Sequence, residues 1–401
     1  MTALYLYDDA RARAFAPFAL TRPASELRAG AMVVRQRWEL AFGTRAAGFS
    51  GAPHLADFAE SDAPPAAGEP LPASAILANA RCVVPVAWRA PDADVFVCDG
   101  RVAALRLARD VTMEELGDGT VTLESLSVRG SRTAEIPGRW VDEVWELITG
   151  LLTQLREDVS AMGPSLQCET PAHVSVIGDG DVYIERGAAV EPQVVLDVSA
   201  GPVLVRRGAT VRAFTRLVGP CAVASGAVIL GDRVHGCAIG EDSYVRGEIS
   251  ESVVLGHSNK AHDGFVGHSY LGRWVNLGAG TITSNLKNTY GTVTLWTPEG
   301  TRDSGTLKLG TFFGDHVKTG IGMRLTTGTV IGAGANVYGS AMPPKYVAPF
   351  SWGEGDSLSE YRVDKFLEIA ERAMARRQVT LDARARRQLA LAHEVGRRSS
   401  R

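Results

Sequence analysis

A six-residue beat of aliphatic side chains constrains this chain more than any other feature. Ile184, Val190 and Leu196 are six apart, and so are Val205, Val211, Leu217, Val223 and Ile229. Ile249 and Leu255 keep the interval, as do Leu271 and Leu277. The next step falls on Thr283, beside Ile282, and the beat weakens there. Phe313, Thr319, Leu325, Ile331 and Val337 then resume it. Glycine follows several of these positions, as in Leu271-Gly272, Leu277-Gly278, Phe313-Gly314 and Ile331-Gly332. Helices repeat every 3.6 residues, and an ordinary sheet rarely keeps a six-residue beat through so many turns. One inward aliphatic and a tight turn per six residues is the signature of a hexapeptide β-helix. Three such edges close a triangular coil. A single coil buries no core by itself, so the stack must be long and capped. The expected extent is residues 174–345, with an insertion at 284–307. A long insertion in a rigid solenoid is expected to act as a lid or as an arm reaching a neighbouring subunit.

The flanks lack the beat. A strand at Ala3–Tyr7 delivers Asp8 and Asp9. Helices are expected at Glu26–Phe42 and Trp140–Leu155, the second from Trp140, Val144, Ile148, Leu151 and Leu155 at helical spacing. The proline-rich Ser61–Ser74 is a loop. Ala75–Leu77, Val83–Val86 and Val95–Val97 read as short buried strands. Strands interleaved with helices make residues 1–162 an α/β domain. Residues 357–399 are expected to form a helical tail. Ser357-Leu358-Ser359-Glu360 reads as a capping box, followed by helices at Tyr361–Arg377 and Leu381–Val395.

Charge and cysteine content exclude several classes. The 42 basic and 45 acidic residues nearly balance, at a net charge of -3, which argues against a nucleic-acid partner. The Arg-rich tail is read as a solvated face or a subunit contact. Five cysteines, an odd number without a Cys-x-x-Cys pair, argue against a disulfide framework and a structural zinc knot. A cytoplasmic setting is expected. No apolar run approaches the roughly 18 residues of a membrane span.

His257, His262, His268 and His316 lie around the insertion. The densest stretch runs Asn259-Lys260-Ala261-His262-Asp263-Gly264-Phe265, then Tyr270-Leu271-Gly272, then Val275-Asn276-Leu277-Gly278-Ala279-Gly280-Thr281-Ile282-Thr283-Ser284-Asn285. It resembles the acetyltransferase half of the bifunctional glucosamine-1-phosphate acetyltransferase / N-acetylglucosamine-1-phosphate uridylyltransferases. That family carries Lys-Ala-Gly-His, Tyr-Leu-Gly and Val-Asn-Ile-Gly-Ala-Gly-Thr-Ile-Thr-Cys-Asn. Leu6-Tyr7-Asp8-Asp9, Thr21-Arg22-Pro23, Glu26-Leu27-Arg28 and Leu286-Lys287-Asn288-Thr289-Tyr290-Gly291 are similar to a divergent subgroup of sugar nucleotidyltransferases fused to such a helix.

The resemblance implies an α/β nucleotidyltransferase-like domain, a left-handed parallel β-helix and C-terminal helices. It also implies a cytoplasmic homotrimer and a sugar phosphate or nucleotide sugar as acceptor, with acetyl-CoA or another acyl-CoA as donor. By position His262 matches the general base; imidazoles titrate near neutral pH, which suits stripping a proton from an attacking amine. Asn276 matches a sugar contact, with Lys260 and Lys287 as further substrate contacts. Asn285 and Ala279 match the acyl-CoA side, where small residues let backbone N–H groups reach a thioester oxygen. For His268 a structural hydrogen-bonding role stands beside a catalytic one, and His316 is read as structural.

Two departures concern the acceptor. The family's tyrosine three residues after the base is Phe265, and Ser250 falls where a lysine holds the sugar phosphate. The nucleotidyltransferase half departs more. Its Gly-rich loop is missing, with Asp8 and Asp9 near that place. Asp8, Asp9, Arg22 and Arg28 could build a different phosphate and nucleotide site, with Mg²⁺ if that domain is active, or could equally be a helix cap and surface ion pairs. The alternatives are a sugar-1-phosphate nucleotidyltransferase with a structural helix, a zinc-dependent lyase using His257 and His262, and a non-catalytic scaffold. No metal site is expected in the acyltransferase reading.

Overall fold

A computed structural model describes residues 2–68 and 70–398. Ser399, the last residue of the expected tail, lies outside them. The chain divides into two compact units. One runs to Val144 and includes Asp382–Val395; the other begins at Trp145 and runs to Leu381.

The N-terminal unit is built on a six-stranded mixed sheet. Its order is Ala46–Ser50, Leu4–Tyr7, Ile76–Asn79, Arg101–Arg106, Val95–Cys98, Thr133–Glu135. Leu4–Tyr7 runs parallel to both neighbours, so Asp8 leaves at the C-terminal end of a central strand. Tyr7, Leu77, Val95, Leu105 and Leu116 form a buried core on this sheet.

Two expected helices are corrected. Within Glu26–Phe42 only Val34–Phe42 is helical. Gly30, at φ +69°, turns a short hairpin of Arg28–Ala29 and Met32–Val33 ahead of it. The Trp140 pattern likewise starts late. Arg139–Trp140 pairs antiparallel with Cys82–Val83, and helix begins at Glu146–Thr149 and continues over Leu151–Met162. In both cases a local strand partner outcompetes helical periodicity.

The second unit is a parallel β-solenoid of about ten turns. Its three faces are ladders of short strands in which each residue pairs with its counterpart one coil on. Leu196, Leu217 and Val234 form one such series. Inward side chains form one continuous core that includes Ile184, Val211, Ile229, Leu271, Phe313 and Val337. The interval is not always six. From Ile229 the inward residues step by five to Val234 and Ile239, and Val254 takes the place expected for Leu255. Thr283 stays on the beat, fully buried, while Ile282 faces out. Lys260 also falls on it, paired with Val245 one coil before.

The insertion folds as a hairpin, Thr294–Thr297 with Gly300–Asp303, and Trp296 stacks on Tyr346 at 3.5 Å between ring centroids. The capping-box expectation fails. Ser357–Glu360 is a strand, antiparallel to Ser351–Glu354, and closes the end of the third face. An open ladder edge offers those residues more hydrogen bonds than a helix start would. The tail helices are Val363–Ala375 and Ala383–Arg398. Arg387 pairs with Asp57 at 3.0 Å, so part of the tail's charge is spent within the N-terminal unit.

Leu217 is fully buried between two coils. Leu217→Ala leaves a cavity that a rigid stack cannot collapse around, at a cost of about 2–5 kcal/mol. A lower denaturant midpoint for the solenoid's unfolding transition checks this.

Candidate active site

Four of the expected site residues converge on one corner of two successive coils. After Asn259-Lys260 on the third face, the chain turns through Ala261–Gly264 and reaches the first face at Val266. Because Lys260 occupies an inward slot, its ammonium is out of water, at 2% exposure. It donates to the carbonyls of Arg246, at 3.0 Å, and His262. Burial pushes its pKa down to about 8. Lys260, expected as a substrate contact, is placed here to pin the turn that carries His262. The His262 side chain itself is exposed and makes no hydrogen bond among the described residues.

The next coil carries Gly278-Ala279-Gly280 directly over this turn. The Gly280 N–H donates to the Asp263 carbonyl at 3.1 Å. A Cβ at Gly264, where φ is +127°, would stand 2.2 Å from the Thr281 carbonyl oxygen, so the turns stack this closely only with glycine. Asn276 projects outward just before this turn, and Asn259 Nδ2 donates to its Oδ1 at 3.1 Å. Asn285 follows it, with Nδ2 2.9 Å from His268 Nδ1. His268 Nε2 lies 3.4 Å from Glu251, whose carboxyl pKa is lowered first by that contact. His268 thus orients Asn285. The Phe265 ring and Asn285 both crowd the position where a Cβ of Gly267 would stand.

Other calls fall elsewhere. The Lys287 ammonium donates to the Thr292 carbonyl and holds the insertion. His257, Trp274 and His316 form a stack, with centroids 4.4 Å and 6.3 Å apart. All three adopt left-handed backbone at coil corners. His257 and His316 are thus corner residues. No group of three His, Cys, Asp or Glu side chains able to hold a metal occurs among the described residues. Among them, too, no helix is long and apolar enough to cross a membrane.

In the N-terminal unit Asp9 caps the helix Ala10–Arg13 by accepting from the Ala12 N–H at 2.9 Å. It also pairs with Arg81 at 2.7 Å. Arg22 pairs with Glu60 at 2.8 Å and is buried. The structure thus has Asp9 in a helix cap and both Asp9 and Arg22 in ion pairs. Asp8 is 2% exposed; one oxygen accepts from the Ala24 N–H at 3.0 Å and the other has no hydrogen-bond partner among the described residues. Burial raises its pKa to about 7. Both Asp9 oxygens are taken up by Arg81, Asn79 and the Ala12 N–H, and Asp8 is buried, which is a poor fit to the hydrated oxygen shell of Mg²⁺.

Residues 4–163 match the family described as sugar nucleotidyl transferase, which gives the class of the N-terminal domain. The chain is similar to the bifunctional sugar-1-phosphate nucleotidylyltransferase/acetyltransferase of Sulfurisphaera tokodaii. The two are 39% identical over 95 residues, 24% of each chain. It is also similar to the bifunctional protein GlmU of Methanococcus vannielii, 34% identical over 107 residues, 26% of each chain. With GlmU of Desulfitobacterium hafniense it is 29% identical over 193 residues, 41% of this chain and 39% of that one. It thus spans about a quarter of the length of the first two relatives. The chain is thus similar to a sugar nucleotidyl transferase over residues 4–163 and, over shorter stretches, to bifunctional GlmU-type proteins.

Asp8 sets a pH dependence. Its folded pKa lies above the unfolded value of 3.8, so the folded state binds the extra proton. Stability is full below about pH 4 and falls as pH rises toward 7, by at most about 1.4 kcal/mol per pH unit. Asp8→Asn should flatten that window in melting temperature measured against pH.

Proposed function

We propose that the chain is a sugar-directed acyltransferase of nucleotide-sugar metabolism, using acetyl-CoA or another acyl-CoA and an amino sugar that is phosphorylated or nucleotide-linked. The observation that carries this is the stacking of the His262 turn against Gly278-Ala279-Gly280 through the Asp263–Gly280 hydrogen bond. It sets an exposed imidazole next to a turn of small residues, flanked by Asn276 and Asn285. The name of the Sulfurisphaera tokodaii relative, which includes acetyltransferase, supports the same chemistry.

His262 takes the proton of the acceptor amine as the nitrogen attacks the thioester carbonyl. The C–N bond forms, the C–S bond breaks, and coenzyme A leaves as the thiolate, which regains a proton from the imidazolium or from water. Backbone N–H groups at Ala279 stabilise the developing oxyanion. Asn276 orients the sugar, and Asn285, held by His268, lies on the donor side. The N-terminal domain has no Gly-rich phosphate loop, so it serves binding or architecture more than pyrophosphorolysis. We place the chain in the cytoplasm as a homotrimer, with sites completed between neighbouring coils as in the family that it resembles.

His262→Ala should lower acyl transfer by roughly 10²–10⁴-fold and leave acyl-CoA affinity and melting temperature intact. His268→Ala should have a smaller effect. Release of free thiol from acetyl-CoA measures both; equal rates for wild type and His262→Ala would reject the assignment.

A further inference from the structure

A second cluster of chemistry lies on the third face of the solenoid, where the helix Val363–Ala375 packs. Phe366, Ala370 and Met374 are buried, and Phe366 meets Phe350 at 5.0 Å and His316 at 5.7 Å between ring centroids. That docking leaves the strip of Ile369, Arg372, Ala373 and Arg376 toward the coil, around a cavity of about 300 Å³. The volume is at the lower end of the range for small-molecule sites, about 300–1,000 Å³.

The opposite wall comes from the ladder. Successive outward residues on this face are Tyr244, Asn259, Asn276, Lys318 and Asn336, each paired with the next. Adjacent members are about 4.8 Å apart. Asn276, the sugar contact in the proposed mechanism, therefore stands one coil from Lys318, and both line the cavity. The stacked rings of His257 and Trp274 close one side.

The charges around this cavity do not balance. Arg372 pairs with Glu368. The Arg377 guanidinium lies over the Tyr244 ring, 3.8 Å from its centroid. His257 Nδ1 is 3.7 Å from Asp242. Lys318 and Arg376 have no acidic partner among the described residues. Burial pushes the Lys318 ammonium down to about 8, with no compensating contact. Lys260, equally depressed, at least has two carbonyl acceptors. Half-buried Lys318 and Arg377 thus face one cavity together with Arg376, and cations gathered at a partly buried site without acidic partners favour an anion joining them. Meanwhile Ser250, where a lysine would hold the sugar phosphate, carries no charge.

We propose that this cavity binds the phosphate or pyrophosphate group of a phosphorylated substrate of the coil, with Lys318, Arg376 and Arg377 as its cationic ligands. The inference rests on the acyltransferase reading for its substrate class, and it moves the phosphate site from the Ser250 position to the third face.

The test is calorimetric binding to the full chain, with Lys318→Gln and an Arg376→Gln/Arg377→Gln double variant of confirmed wild-type melting temperature. The probes are inorganic pyrophosphate, glucosamine-1-phosphate, coenzyme A and 3′-dephospho-coenzyme A. Expected is a loss of at least about tenfold in affinity for pyrophosphate and for one phosphorylated substrate, with recovery in Lys318→Arg. Loss confined to glucosamine-1-phosphate makes the acceptor the source of the phosphate. Loss for coenzyme A but not for its 3′-dephospho form makes it the donor. Wild-type affinity in both variants, or no binding of any probe to wild type, overturns the site. Because binding needs no turnover, weakened binding in a chain that transfers no acyl group would sink only the acyltransferase reading. Active transfer with unchanged binding would sink only this site.

Discussion

The C-terminal unit depends on one repeated contact: an inward side chain on each edge, packed against the same position in the coils before and after it. Every polar feature of the site is positioned by that core, because the register that buries Val245 and Leu277 also sends Asn259 and Asn276 outward in one column. The arrangement is rigid, so turns at the corners can bring chemistry from successive coils into register without a lid or a hinge. Small residues are required where two turns stack, as at Gly264, since any Cβ would force the coils apart.

Two lysines show how the same core handles charge. Lys260 enters an aliphatic slot, and its ammonium is satisfied by backbone carbonyls of two turns, one of them at His262. Its role is to hold the turn that carries His262. Lys318 sits on the outer side of the same face, half-buried and without such acceptors among the described residues. The first arrangement is complete within the chain; the second calls for a ligand.

The solenoid was legible because its period is unlike that of a helix or a sheet, and Ile184 through Ile229 could be followed without a structure. Leu255 was misplaced because some edges have five residues, which composition does not signal; only the ladder Ile239–Val254 reveals it. Lys260 falls fifteen residues after Val245 and seventeen before Leu277, so its burial was readable in principle once uneven coils were allowed. Ser357–Glu360 and Arg139–Trp140 read as helix locally and became strand because a partner edge was available. The residues of the His262 corner were named in the sequence through the family resemblance, and the ladder brings their turns together. The Lys318 cavity was not legible there, because its two walls are separated by some fifty residues of chain and meet only when the helix Val363–Ala375 docks.

The central claim is that the coil carries the chemistry and that the N-terminal domain does not work as a pyrophosphorylase. One reaction tests it: the purified full chain with acetyl-CoA, a nucleoside triphosphate and a panel of amino-sugar 1-phosphates, with thiol and pyrophosphate measured together. The account predicts thiol release that saturates with one amino sugar, with little or no pyrophosphate. Pyrophosphate at ordinary enzyme rates, on the order of 10 per second, with no thiol released, would contradict it.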